Sequence, residues 1–161
     1  MDDLSLACEE YQNIWDSEGH RIVGAWEKMT DYSFTETFVN AVVHSINSPS
    51  TSHPLALRDS LALETKKLTL VHEIGHRILY VPRREQFKET KVRQNSLENH
   101  KLLDLVLYDV YEDLYGKDFT DRAVVWDCEK VGGIYKEAWD FALSFRTKDE
   151  RQKEFKRLMS I

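Results

Sequence analysis

Cysteine is scarce in this chain. Cys8 and Cys128 are the only two, too few for a disulfide framework. Both fall in stretches of helical periodicity, where a free buried thiol is the usual state, and a reduced, cytoplasmic setting is the expectation. No run approaches the roughly 18 apolar residues of a membrane span. The opening Met1-Asp2-Asp3-Leu4-Ser5 has neither the basic nor the apolar region of a secretory signal. A basic surplus is missing too: the net charge is −6, which gives no general attraction for nucleic acid or an anionic membrane. Repeats, low-complexity tracts and linkers are likewise absent. With 161 residues and 42% hydrophobic content, the chain suits one domain, residues 1–161, with a sizeable core.

What is present centres on Leu68 to Val81, LTLVHEIGHRILYV. His72, Glu73 and His76 form the pattern H-E-x-x-H. On a helix, histidines at i and i+4 stand on one face with roughly 6 Å between Cβ atoms, close enough for both imidazoles to hold one metal ion. Glu73 follows the first of them and can reach a water at the metal without binding the metal itself, which suits a general base. With 6 His in 161 residues, chance yields this pattern on the order of 0.02 times per chain. The apolar flanks Leu68, Leu70, Val71, Ile74, Ile78 and Leu79 predict a buried helix, on which polar residues need a reason.

This segment resembles the motif-bearing helix of the zincin metallopeptidases, in which apolar residues precede and follow H-E-x-G-H. The resemblance is strong over about fifteen residues and names no subfamily. It implies a zinc-dependent hydrolase of peptide bonds with one zinc ion, His72 and His76 as ligands and Glu73 as base. It also implies a helix-dominated α+β domain with at most a small sheet or hairpin before the metal helix. In such proteins an edge strand precedes that helix and peptide substrates add to it; Leu55 to Leu63 is the candidate here.

A catalytic zinc site takes three protein ligands. The glutamate arrangement E-x-x-x-D, common on a later zincin helix, does not occur in Ser96 to Gly116, the second informative stretch. That stretch does hold His100 and Asp104 at i and i+4. Histidine can then be the third ligand with Asp104 orienting an imidazole from behind, or the two can exchange roles. Asp109, set among large apolar residues, is a further candidate, whereas Glu112 and Asp113 read as an acidic solvent face. The resemblance also implies an oxyanion stabiliser after the third ligand, for which Tyr108, Tyr111, Tyr115 and Tyr135 are available, with core packing the other role for each. His20, His44 and His53 have no partner at ligand spacing and read as ordinary residues.

Elsewhere, the stripe Leu4, Cys8, Tyr11, Trp15, Ile22, Trp26 and Met29 predicts a helix from Asp3 to Met29, with a kink or break at Gly19. Ser33 to Glu36 reads as a capping box, and a helix over 38–46 is preferred to a strand. Asn47 to Pro54 is a loop. Thr65 is the expected cap of the metal helix, and Pro82 its expected stop. Pro82 to Gln94, with Arg83, Arg84, Lys88, Lys91 and Arg93 against Glu85 and Glu89, reads as a solvated loop or as a flap for an acidic partner. Ser96 caps the next helix and Gly116 ends it. Helices then follow over Thr120 to Val131, Ile134 to Phe145 and, capped by Thr147, Lys148 to Met159. The alternative to an enzyme is a non-catalytic zincin-like module in which a metal merely ties helices together. The presence of Glu73 speaks against it, because a structural site needs no base.

Overall fold

The computed structural model describes residues 3–90 and 97–159, with residues 83–90 as backbone alone. Helix dominates: α1 (Asp3–Thr30), α2 (Leu63–Thr90), α3 (Leu97–Tyr115), α4 (Lys117–Trp126), α5 (Ile134–Leu143) and α6 (Lys148–Met159). A π-helical turn, Asp127–Val131, links α4 to α5. Two short strands, β1 (Ala41–His44) and β2 (Leu55–Arg58), lie between α1 and α2. They pair in parallel, Val42 opposite Ala56 and Val43 opposite Leu57. The small sheet expected before the H-E-x-x-H helix is therefore there, as a parallel pair and not a hairpin.

Helix α3 is the axis of the molecule, packing on α1, α2, α4, α5 and α6. Its sequence explains this. Leu102, Leu103, Leu105, Val106, Leu107, Val110 and Tyr111 are all buried, and a helix apolar round most of its circumference has to be surrounded. Each such side chain stabilises the fold by about 1.5–3 kcal/mol on burial. The flanks of the H-E-x-x-H segment, Leu68, Leu70, Val71, Ile74, Ile78 and Leu79, are buried in the same core.

Gly75, inside the motif, has a steric role. A Cβ there would stand 2.1 Å from the Trp26 ring, and that ring cannot retreat: it is fully buried and its Nε1 donates to the Val71 carbonyl at 3.0 Å. Helix α1 thereby grips α2 between the two motif histidines. Gly75→Ala is expected to lower the unfolding free energy by about 1–3 kcal/mol, the usual range for overpacking. Urea unfolding reads this directly, and an unchanged midpoint would mean that the indole yields.

Several expectations are corrected. Residues 38–46 are not helical; 41–44 form β1. The spacing misleads because Phe38, Val42 and Ile46 lie four apart, which satisfies both a helical face and one face of a strand. All three are exposed, at 83%, 60% and 66%, so no core rewards a helix, and β-branching decides. Ser33 to Glu36 caps nothing; the Phe34 N–H bonds to Glu27 Oε1 at 2.8 Å, and Glu36 pairs with Arg77. Helix α1 runs unbroken through Gly19. Cys8 is exposed, not buried, and both cysteines are free.

Helix α2 starts before Thr65, its first turn closed by the Lys66 N–H on the Ala62 carbonyl at 2.9 Å. It also continues through Pro82 to Thr90, so the expected loop over 82–90 is helix. Proline forfeits a single backbone donor and its fixed φ is helical. Lys91 to Gln94 and the Ser96 cap lie outside the described residues. The helix expected over 120–131 begins at Lys117 and turns π-helical at Asp127. The later boundaries agree better. Gly116 takes φ 82° where α3 ends, and Thr147 and Glu150 cap α6 reciprocally, at 3.2 and 3.0 Å.

Candidate metal centre

Two helices supply the site. The i, i+4 spacing on α2 sets the His72 and His76 rings side by side, centroids 4.8 Å apart, with their Nε2 atoms 3.1 Å from each other. His100, near the start of α3, brings a third ring to within 5.4 Å of His72 and 5.0 Å of His76. Among the described residues these three form a set whose ligand atoms all lie within 4.8 Å of one another. Nitrogens bound to a tetrahedral zinc at 2.0–2.1 Å sit roughly 3.3 Å apart, so the cluster is near the size of the ion.

Burial fits the same use. His72 and His100 are buried and His76 half-buried. Desolvation, helped by the neighbouring imidazoles, holds His72 and His76 well below the usual histidine range, so they are neutral and keep a lone pair for a metal. Glu73 is 6% exposed and burial pushes its carboxyl up to about 8. A nearby cation would return it to the charged form.

The remaining candidates separate cleanly. Asp104 is fully buried one turn beyond His100, and neither of its oxygens has a hydrogen-bond partner among the described residues. It does not join the set of ligand atoms. Burial, with the Asp127 carboxyl behind it, pushes Asp104 well above the usual carboxylate range. A buried carboxyl left without a partner is costly, and Asp104 hydrogen-bonds no imidazole among the described residues.

Asp109 faces elsewhere, in a buried two-pronged pair with Arg151 at 2.6 and 3.1 Å. Asp113 pairs with Lys28 on the surface at 2.5 Å, as an acidic solvent face should. Of the four tyrosines, Tyr111 bonds to the Leu68 carbonyl at 3.0 Å, Tyr108 to Asp121 at 3.2 Å, and Tyr115 packs on Phe119. Tyr135 alone among them lies over the histidines, 4.5 Å from the His100 ring and 5.8 Å from that of His72. Burial raises its phenol above the usual value, so it keeps its proton as a donor.

Through His72 the cluster borders a cavity of about 450 Å³. Its floor includes His72, Glu73 and Tyr111; residues 47–50 and Arg58 close it from the side of the sheet, and Trp126, Asp127, Lys130 and Val131 from the π-helical turn. That second wall is invisible in the sequence, where only Gly132-Gly133 signals a break. Asp127 is held by Trp139, whose Nε1 donates at 2.9 Å, and burial pushes its carboxyl up to about 6.

Beside the site, Arg77 ties α2 to the preceding loops, donating to Glu36 Oε1 at 2.8 Å and to the Ser52 carbonyl. His53, which spacing alone leaves unassigned, packs its ring 4.6 Å from that of Tyr80. No helix among the described residues is long and apolar enough to cross a membrane. In comparisons with family models, curated proteins and solved structures, nothing matches this chain.

Proposed function

We propose that the chain is a zincin-like metallopeptidase, hydrolysing peptide bonds in an intracellular protein substrate with one zinc ion held by His72, His76 and His100. The observation that carries the reading is the convergence of these three imidazoles, with a buried Glu73 next to His72 and both of those residues lining a cavity. Zinc, when bound to such a donor set, lowers the pKa of water and polarises carbonyl groups. Glu73 takes the proton of the attacking water and passes it to the leaving amine. Tyr135, protonated and above the rings, donates to the oxygen on which negative charge develops. Asp104 supports an imidazole from behind.

A purely structural metal would tie α2 to α3 equally well, but it would need neither a carboxylate beside its ligands nor a cavity in front of them. Metal removal separates the two readings. Hydrolysis of a mixed peptide library should vanish when the protein is stripped by a chelator and return with one equivalent of zinc. A protein that recovers its thermal stability with zinc yet cleaves nothing is a scaffold.

A further inference from the structure

We infer that the cavity selects substrates carrying a carboxylate next to the scissile bond, received by Arg58 and Lys130. The inference rests on the peptidase reading and adds the substrate class to it.

Its first support is what β2 cannot do. The edge of β2 turned away from β1 is already occupied by the chain itself. The Ala56 N–H and C=O both bond to Thr51, each at 2.9 Å. The Arg58 N–H bonds to Ser50 Oγ at 3.2 Å, and the Arg58 carbonyl accepts from the Tyr11 hydroxyl at 3.0 Å. A peptide main chain therefore finds no donors or acceptors there, and the expected strand addition on β2 is blocked. Recognition falls to side chains lining the cavity.

The second support is which side chains those are. In a chain of net charge −6, cations are readily neutralised: Lys66 by Glu10, Lys67 by Glu18, Arg77 by Glu36, Arg122 by Glu64 and Arg151 by Asp109. Arg58 and Lys130 both line the cavity, and neither has a carboxylate partner among the described residues. Among the described residues the guanidinium of Arg58 hydrogen-bonds the Ser60 hydroxyl, at 3.3 Å, and no carboxylate. With its backbone fixed at both N–H and C=O, Arg58 presents its fork from a set position, and a guanidinium fork matches a carboxylate in two hydrogen bonds. Lys130 brings a second positive charge from the π-helical turn. The cavity's own carboxyls do not answer either cation. Asp127 accepts from Trp139, and Glu73 is buried next to His72 on α2 and pairs with neither cation among the described residues.

Two sources supply such a carboxylate, an Asp or Glu side chain and a free chain end. The test uses one peptide series with Glu or Gln beside a fixed central bond, each made as free acid and as C-terminal amide. Affinity is measured with the zinc-loaded Glu73→Gln protein, and cleavage with the zinc-loaded wild type. Glu peptides should bind about tenfold tighter than Gln peptides, a difference of about 1.4 kcal/mol. Lys130→Glu, at an exposed position, and Arg58→Gln should each bring that ratio towards one. A preference for free acids irrespective of Glu assigns the site to a chain end. Charge-selective binding without cleavage overturns the peptidase reading and leaves the carboxylate site standing. Cleavage with no charge preference, or a preference unchanged in both variants, overturns the inference and leaves the peptidase. Failure of every peptide to bind overturns it as well.

Discussion

Glu73→Gln is expected to keep the fold and the zinc and to lower turnover by roughly 10² to 10⁴-fold or more, the contribution of a positioned general base. The side chain is not among the atoms clustered to hold the ion, and glutamine is nearly its isostere, so neither the metal nor the packing should change. Glutamine cannot take a proton. Three measurements on the same preparation decide the matter: zinc content, thermal unfolding and single-turnover cleavage of the library. Loss of turnover with zinc and melting temperature intact assigns the base. Cleavage at the wild-type rate would remove Glu73 from the mechanism however well the zinc is held. The inactive variant also serves as a trap, retaining from a cell extract a protein that the wild type cuts.

The second large effect is on metal content. Purified protein should carry about one zinc per chain, and His72→Ala or His76→Ala should remove it, because a catalytic site has only three protein ligands to lose. His100→Ala should behave alike. Asp104→Ala should weaken zinc by only about 10 to 100-fold, the usual cost of losing a group that supports a ligand. Titration against a competing chelator ranks the four. If Asp104→Ala proved worse than His100→Ala, the two residues would exchange roles; full occupancy in all four variants would dismiss the site.

How far these features can be read from the chain itself varies with the kind of signal. The motif on α2 is legible because one i, i+4 spacing fixes both the rings' common face and the carboxylate beside them, and the apolar flanks predict the burial that is found. His100 follows from the same spacing on a second helix, although spacing alone leaves it tied with Asp104. Only the packing of α3 against α2 separates them. Residues 38–46 go the other way, since a four-residue repeat satisfies two periodicities and gives no hint that Phe38 points to solvent. Arg58, Asp127 and Lys130 escape altogether. Arg58 lies some seventy residues from the turn that holds Asp127 and Lys130, and the cavity joining them exists only once that strand and that π-helical turn have been brought together beside α2.

The buried pair of Asp109 and Arg151 bears on how the protein is made. Its partners are 42 residues apart, one on the helix that carries His100 and the other on α6. A polypeptide emerges from the ribosome N-terminal end first, at roughly 5–20 residues per second. The motif on α2 is thus complete for seconds before the counter-charge of Asp109 has been synthesised. Until then α3 has no settled place for that carboxylate, because a buried charge deprived of its partner costs about 3–5 kcal/mol. A nascent chain stalled before residue 151 therefore holds the H-E-x-x-H motif while Asp109 still lacks its partner.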